Sequence, residues 1–305
     1  MKKYFLFLLF LPAFLHAQDA VFSKYNSTPL DLNPAFAGTN GRGRLSLGYR
    51  DQWPNIARGY RTTVMSYDHY VEKINSGVGI EYSHDAGPEL LVKTNSIHGV
   101  YTFRMLLHEK LLIQPALEFG LINMKLDTSK IITTSSPEPF NKTSVGAFDC
   151  GAGILVAMMR FNFGFAAHHL NKPDLGFIST SRLPIRYTVH ASAILGSVSQ
   201  EFEKKISVIP QIAYNRQQDF SQLNAGISVK FANWQLGGAY RNNDAFIGMI
   251  GYQNDHFRVS YSYDYTVSSL TNATTGGTHE FCLQLFMFTK HHDGLGFTDV
   301  TTYAF

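Results

Sequence analysis

What this chain of 305 residues lacks narrows its class before anything else does. Past residue 17 it has no long apolar run, and so no helix with which to cross a membrane. It has only two cysteines, Cys150 and Cys282. They fall far apart in sequence on stretches that read as strands and face opposite ways, so no disulfide is expected, and both read as small apolar residues. Charged residues make up 16% of the chain, and the formal net charge is +3, or +1 once Lys2 and Lys3 are set aside (3 − 2 = 1). That balance gives nucleic acid no reason to bind. No Cys/His spacing suits structural zinc. His168-His169 would point to opposite faces of a strand and chelate poorly, and His291-His292 offers at most a weak metal site in a tail. Gly77-Val78-Gly79 and Gly237-Gly238 lie inside alternating stretches, where glycine relieves crowding in a wall and does not cradle phosphate. His190 and Ser192 share a strand face as they would in a barrel phospholipase, but no orienting partner flanks them, and a hydrolase needs nucleophile, base and orienter together. No enzyme activity, cofactor or metal is expected.

The chain is rich in aromatic residues, at 14%. Residues 1–17 read as a secretory signal: Lys2 and Lys3 form the basic start, residues 4–15 the apolar core, and Leu15-His16-Ala17 the cleavage site, with no cysteine there to take a lipid anchor. After this leader one pattern dominates, and residues 257–266, FRVSYSYDYT, show it most clearly. Phe257, Val259, Tyr261, Tyr263 and Tyr265 alternate with Arg258, Ser260, Ser262, Asp264 and Thr266. Successive strand side chains point to opposite faces, so this is a ribbon with one lipid-ready face and one wet face.

The same alternation recurs over 42–51, 60–71, 77–83, 91–107, 110–126, 145–158, 160–169, 183–195, 204–214, 222–231, 234–241, 245–252, 257–266 and 278–289. An all-β, antiparallel outer-membrane β-barrel of about fourteen strands is predicted, with an even strand count as bacterial barrels have. The connections near residues 108, 159, 232–233 and 254–255 are short and fall on the periplasmic side. Those at 52–59, 127–144, 171–182 and 268–277 are longer and fall outside. The predicted organisation is signal 1–17, an N-terminal non-barrel segment 18–41 at the periplasmic mouth or in the lumen, barrel 42–289, and a short periplasmic tail 290–305. Segment 18–41 is broken by Pro29, Pro34 and Gly38 yet carries Phe22, Tyr25 and Phe36, which argues for an ordered piece. The tail reads as an aromatic signal for insertion, a docking peptide or a disordered end.

On the inward face, Arg44, Arg50, Glu81, Arg104, Glu118, Arg186, Arg241, Arg258, Asp264 and Glu280 are placed to form an ion-pair lattice. Arg50, Arg241, Asp264 and Glu280 are its leading candidates. A lattice that stiffens the wall is preferred to an ion pathway, because unpaired charge in the wall is costly.

Several of these stretches also carry a family resemblance. Gln18-Asp19, Phe22-Ser23-Lys24-Tyr25 and Leu32-Asn33-Pro34-Ala35-Phe36-Ala37-Gly38 resemble the start of the PorP/SprF family of type IX secretion membrane proteins of Bacteroidota. Tyr49-Arg50-Asp51-Gln52-Trp53-Pro54 is similar to a further block, with Asp51 where the family often has Asn. Trp234 with Gly237-Gly238-Ala239-Tyr240-Arg241 looks like the family's tryptophan and tyrosine–arginine strand. Tyr261-Ser262-Tyr263-Asp264 and Gly277-Thr278-His279-Glu280 resemble its final hairpin, with Thr278 where Ser is common. The resemblance implies an integral outer-membrane barrel, surrounded by outer-membrane lipid and without enzyme activity. It also implies work with periplasmic or outer-membrane type IX components, or with the C-terminal domain of a secreted adhesin such as those used in gliding. Asn33 and Pro34 in the N-terminal segment, and Trp53, Ile56 and Phe140 in outer loops, are the candidate partner contacts, since aromatic anchors dominate interfaces. Trp53 reads equally well as part of an interfacial girdle. The competing readings are a general subunit coupled to the periplasmic ring or motor, a passive porin, which calls for an open lumen, and a lipid-acting enzyme that depends on Ser192.

Overall fold

The computed structural model of the chain is described over residues 19–23, 28–41, 43–56, 59–87, 91–107, 111–127, 129, 143–158, 160–196, 206–268 and 271–287. The leader, Phe140 and the tail lie outside these residues. Sixteen strand segments follow one another: β1 Gly43–Gln52, β2 Tyr60–Val71, β3 Ser76–Ala86, β4 Val92–Phe103, β5 Met105–Leu107, β6 Leu111–Leu126, β7 Ser144–Met158 and β8 Phe161–His168; then β9 Arg186–Ala193, β10 Leu195–Gly196, β11 Ile206–Gln217, β12 Phe220–Phe231, β13 Trp234–Arg241, β14 Ala245–Gln253, β15 Phe257–Thr266 and β16 Thr278–Met287. β5 continues β4 past Arg104, and β10 continues β9 past Ile194, so the segments make fourteen strands. Every pairing is antiparallel. β1 pairs with both β2 and β16, and β11 pairs with both β9 and β12, which closes the ring. A closed sheet leaves no unpaired edge, which is the condition for spanning hydrocarbon with strands.

The period-two sequence produces the wall directly. On the outer face Tyr82, Ile97, Leu121, Phe148, Phe163, Ile227, Leu236 and Phe281 are exposed. On the inner face Ser46, Ser66, Gln114, Asn162, Thr188, Gln211, Ser228 and Ser262 are buried. A soluble protein has the opposite arrangement, so the outer face is the lipid face.

Two details of the connections differ from expectation. Both are at the end with the long loops: Gln218-Asp219 and residues 242–244 form tight turns where longer connections were expected. Tight outer turns arise because Gln218 and Asn243 take left-handed backbone, at φ 53° and 57°, closing hairpins that the sequence pattern left open.

The N-terminal segment runs through the lumen. Helix α1, Pro29–Leu32, and the one-turn 3-10 helix Pro34–Phe36 lie in its core. Leu30, Leu32, Ala35, Phe36 and Ala37 pack there against Val100, Ala116, Leu155, Ile194 and Ala213 of the wall. Thus the largest apolar cluster among the described residues lies inside the barrel, built jointly by the wall and this segment.

Candidate functional site

The lumen segment is held at two levels. Toward the long-loop end, four strands bring Arg50 (β1), Arg241 (β13), Asp264 (β15) and Glu280 (β16) together around Ser23. The Ser23 N–H donates to both Glu280 oxygens, at 2.8 and 3.1 Å, and its hydroxyl donates to Asp264 Oδ2 at 2.6 Å. Arg50 Nη1 donates to Ser23 Oγ at 3.0 Å, and Arg241 Nη2 donates to the same oxygen. Arg50 pairs with Glu280, and Arg241 pairs with Asp264 at 2.9 Å. Asn224 and Asp244 hold the rest of the Arg241 guanidinium at 3.2 and 3.1 Å. Arg241 is 2% exposed and Glu280 1%, so bulk water is excluded and each charge depends on its partners. These four residues surround one serine of the segment, which sequence reasoning did not single out.

Asp19 is fixed beside this cluster. Its backbone N–H donates to Gln217 Oε1 at 3.0 Å, and its carboxylate meets His169 Nε2 at 2.8 Å and Arg186 at 3.7 Å. The other imidazole nitrogen of His169 meets Asp149 of β7 at 2.8 Å, so this ring joins segment to wall. Burial works against charge on both groups, but the mutual attraction wins. His169 together with Arg186 holds the Asp19 carboxyl well below its usual range, and Asp19 with Asp149 pushes His169 up to about 10. His169 was expected on a strand, facing away from His168. It instead lies just past β8 with φ 59°, and that left-handed turn brings both imidazoles inward, His168 onto Glu118 at 2.6 Å.

Toward the short-turn end the contacts are mostly amides and packing, with one buried ion pair, Arg44–Asp68, beside them. Asn33 is 0% exposed. Its Oδ1 accepts from Ala35 N–H at 2.9 Å, and its Nδ2 meets the Ile154 carbonyl and His190 Nε2, both at 3.1 Å. Gln114 Nε2 donates to the Ala35 and Ala37 carbonyls at 3.0 and 2.7 Å, and the Gly38 N–H donates to Asp68, itself paired with Arg44 at 2.8 Å. Two wall glycines are required here by close approach: a β-carbon on Gly77 would overlap the Ala37 carbonyl, and one on Gly153 would overlap Asn33 Oδ1. Between the two levels, Arg186 Nη2 takes both the carbonyl and the carboxylate of Asp31, at 2.9 and 3.0 Å.

This corrects the placing of Asn33 and Pro34 as partner contacts. Both are buried, and their surfaces are taken up by the wall. Trp53 and Ile56 do lie in the connection between β1 and β2. Trp53 has φ 59°, its N–H donates to the Gly277 carbonyl at 3.0 Å, and its indole packs edge-on against Tyr60 at 6.1 Å. The Ile56 N–H closes the turn onto the Trp53 carbonyl at 3.0 Å. Of the remaining inward charges, Arg258 is met by Gln253 and Gln284, and Arg104 sits over the Tyr70 ring, while Glu81 is buried. His190 and Ser192 face inward and buried; the Ser192 hydroxyl is bonded by the Asn162 amide at 2.6 Å, while His190 is engaged by Asn33. Cys150 and Cys282 are both free thiols. No cluster suited to a metal ion occurs among the described residues.

An all-antiparallel closed wall, lipid-facing outside and filled by its own N-terminal segment, is that of an outer-membrane β-barrel. Among solved structures, the chain is similar to the CymD monoaromatic hydrocarbon channel at 11% identity and TM-score 0.50, over 89% of this chain and 96% of that one. It is also similar to outer membrane protein Omp33 of Acinetobacter baumannii (8% identity, TM-score 0.45, 81% and 98% covered) and to the toluene transporter TodX of P. putida (9%, 0.47, 90% and 95%). At these identities likeness speaks to the fold alone. A comparison with curated proteins gave no match. The chain belongs to the family of the type IX secretion system membrane protein PorP/SprF, whose profile matches residues 15–285. It is therefore a secretion-related outer-membrane barrel, and its family implies interaction with other components of that system.

Proposed function

We propose that this barrel is a non-enzymatic holding component of the secretion system: it assists export of a secreted adhesin and anchors it at the cell surface through the adhesin's C-terminal domain. The observation that carries this reading is the occupied lumen. Residues 19–23 and 28–41 run through it, and the inward side chains that a porin would present to water are instead spent on this segment. A wall built around an internal segment serves better as a rigid platform than as a solute pore. The platform offers the 53–56 connection, with Trp53 and Ile56, at the long-loop end, where an exported domain would arrive. The engagement of Ser192 by Asn162, and of His190 by Asn33, disfavours a hydrolase. A general subunit that couples periplasmic ring or motor proteins to the membrane is the second reading, favoured by the close hold on the segment near the short-turn end.

The test is affinity capture of the tagged protein from native outer membranes, with mass spectrometry of what accompanies it. Recovery of a large secreted adhesin in amounts comparable with the bait supports anchoring. Recovery of periplasmic ring proteins without an adhesin replaces it with the coupling role.

A further inference from the structure

On the lipid face of β2, β4 and β6 the outward residues change character in one order toward the long loops. On β2 they run Met65, Thr63, Arg61; on β4 Ile97, Asn95, Lys93; on β6 Leu121, Asn123, Lys125. β3, between the first two, runs Tyr82 then His84. The register sets these residues side by side: Thr63 opposite His84, His84 opposite Asn95, Asn95 opposite Asn123, and Lys93 directly opposite Lys125. The middle row is already knit together, with Tyr82 Oη donating to Asn95 Oδ1 at 2.9 Å and His84 Nδ1 at 2.9 Å from the same oxygen. On the other side of the barrel the pattern does not change: β13, β14 and β15 end outward on Tyr240, Phe246 and Tyr265, which lie side by side.

Two ammonium groups opposite each other on neighbouring strands repel, and their β-carbons are only about 5 Å apart. Arg61 has Asp51 at 3.6 Å, and the Asp127 carboxylate takes the Ser129 hydroxyl. Among the described residues neither Lys93 nor Lys125 forms an ion pair. Such a pair is stable where an anion bridges it, and its position says which anion. It stands immediately beyond an apolar band that faces acyl chains, on the end of the barrel carrying the longer loops, which in outer-membrane barrels is the outer leaflet side. We propose that Lys93 and Lys125, with Asn95 and Asn123 below them and Arg61 at the flank, form a binding site for the phosphate of a phosphorylated outer-leaflet glycolipid, whose acyl chains lie along Ile97 and Leu121. The site gives the barrel one preferred lipid-clad side and leaves the aromatic side for ordinary contact with the bilayer interface. It is independent of whether the lumen-filled barrel anchors an adhesin.

The experiment is native mass spectrometry of the full-length barrel released from detergent, titrated with bis-phosphorylated lipid A, the same lipid dephosphorylated, and phosphatidylglycerol. The wild type retains the bis-phosphorylated lipid and not its dephosphorylated form. Lys93→Gln with Lys125→Gln weakens that binding about thirty-fold, a few-fold for each cation lost near a charged headgroup. Lys93→Arg with Lys125→Arg keeps it, which shows that the loss is one of charge and not of folding. Arg216→Gln, on outward-facing β11, leaves it unchanged. Equal retention of the dephosphorylated lipid, or equal binding by the double glutamine variant, overturns the proposal. Retention of phosphatidylglycerol in equal measure, with the glycolipid showing no advantage, overturns the glycolipid as the occupant.

Discussion

At its Ser23 end the lumen segment is held by a four-residue charged cluster; at its Phe36 end it is held mostly by packing and amides, with the single Arg44–Asp68 pair added. In the first region one hydroxyl and one N–H sit among two guanidinium and two carboxylate groups from four strands. In the second, Phe36 is wholly buried, lies tilted against His190 at 5.1 Å between ring centres, and its neighbours' carbonyls are met by Gln114. The difference teaches how a barrel keeps an internal segment without making it part of the sheet. Apolar packing is non-directional and gives adhesion, while the charged cluster accepts only one register and one depth. The charged cluster is also the reversible part, since removing one partner leaves the others buried without compensation.

Four substitutions separate the two holds. Arg241→Ala is expected to have the largest effect: it strips Asp264 of its nearest cation and costs about 3–5 kcal/mol, read as a lower urea midpoint in lipid vesicles. Phe36→Ala follows at about 3 kcal/mol, the lower part of the range for deleting a buried ring; unlike the first, its cost does not depend on pH. Gly153→Ala forces Asn33 to shift and costs about 1–3 kcal/mol by overpacking. Ser23→Ala leaves buried donors and acceptors around it unmet and costs about 1–2 kcal/mol, while the amide contacts of Asn33 stay intact.

The smallest effect is one of pH and belongs to the charged end alone. The folded His169 titrates at about 10, above its ordinary 6.5, so its contribution is complete below pH 6.5 and is lost as pH rises through 10. Asp19 is shifted the other way; its contribution stands above the ordinary carboxylate range and fades only in strong acid. Reactivity of a Val21→Cys thiol with a water-soluble maleimide, in a variant lacking Cys150 and Cys282, should therefore rise between pH 7 and 10.5 beyond the reagent's own pH trend. His169→Gln should remove the excess. An Ala35→Cys thiol should show none.

How much of this could be read from the sequence differs between wall and lumen. The wall was legible, strand by strand, because alternation imposed by the two faces persists through all fourteen strands. Arg50, Arg241, Asp264 and Glu280 were visible for the same reason: each stands at a polar step of an alternating run. Ser23 was not visible, because the segment that carries it has no period, and only the closing of four strands around it gives it a role. Asn33 and Pro34 announced a turn but not its destination. His169 was misplaced because a single left-handed residue ends a strand and re-aims a side chain without disturbing the pattern before it. The cationic pair Lys93 and Lys125 needed register, since the two are thirty-two positions apart in the chain and meet only through the pairing of β4 with β6 (125 − 93 = 32).

The barrel's own N-terminal segment fills its lumen. Single-channel recording of the purified wild-type protein in a planar bilayer tests this most directly. The expected result is little or no conductance from the wild type, with current appearing when Arg241→Ala loosens the charged hold. A wild-type barrel that conducts steadily as an open pore, unaltered by Arg241→Ala, would contradict the account and return the protein to the porin class.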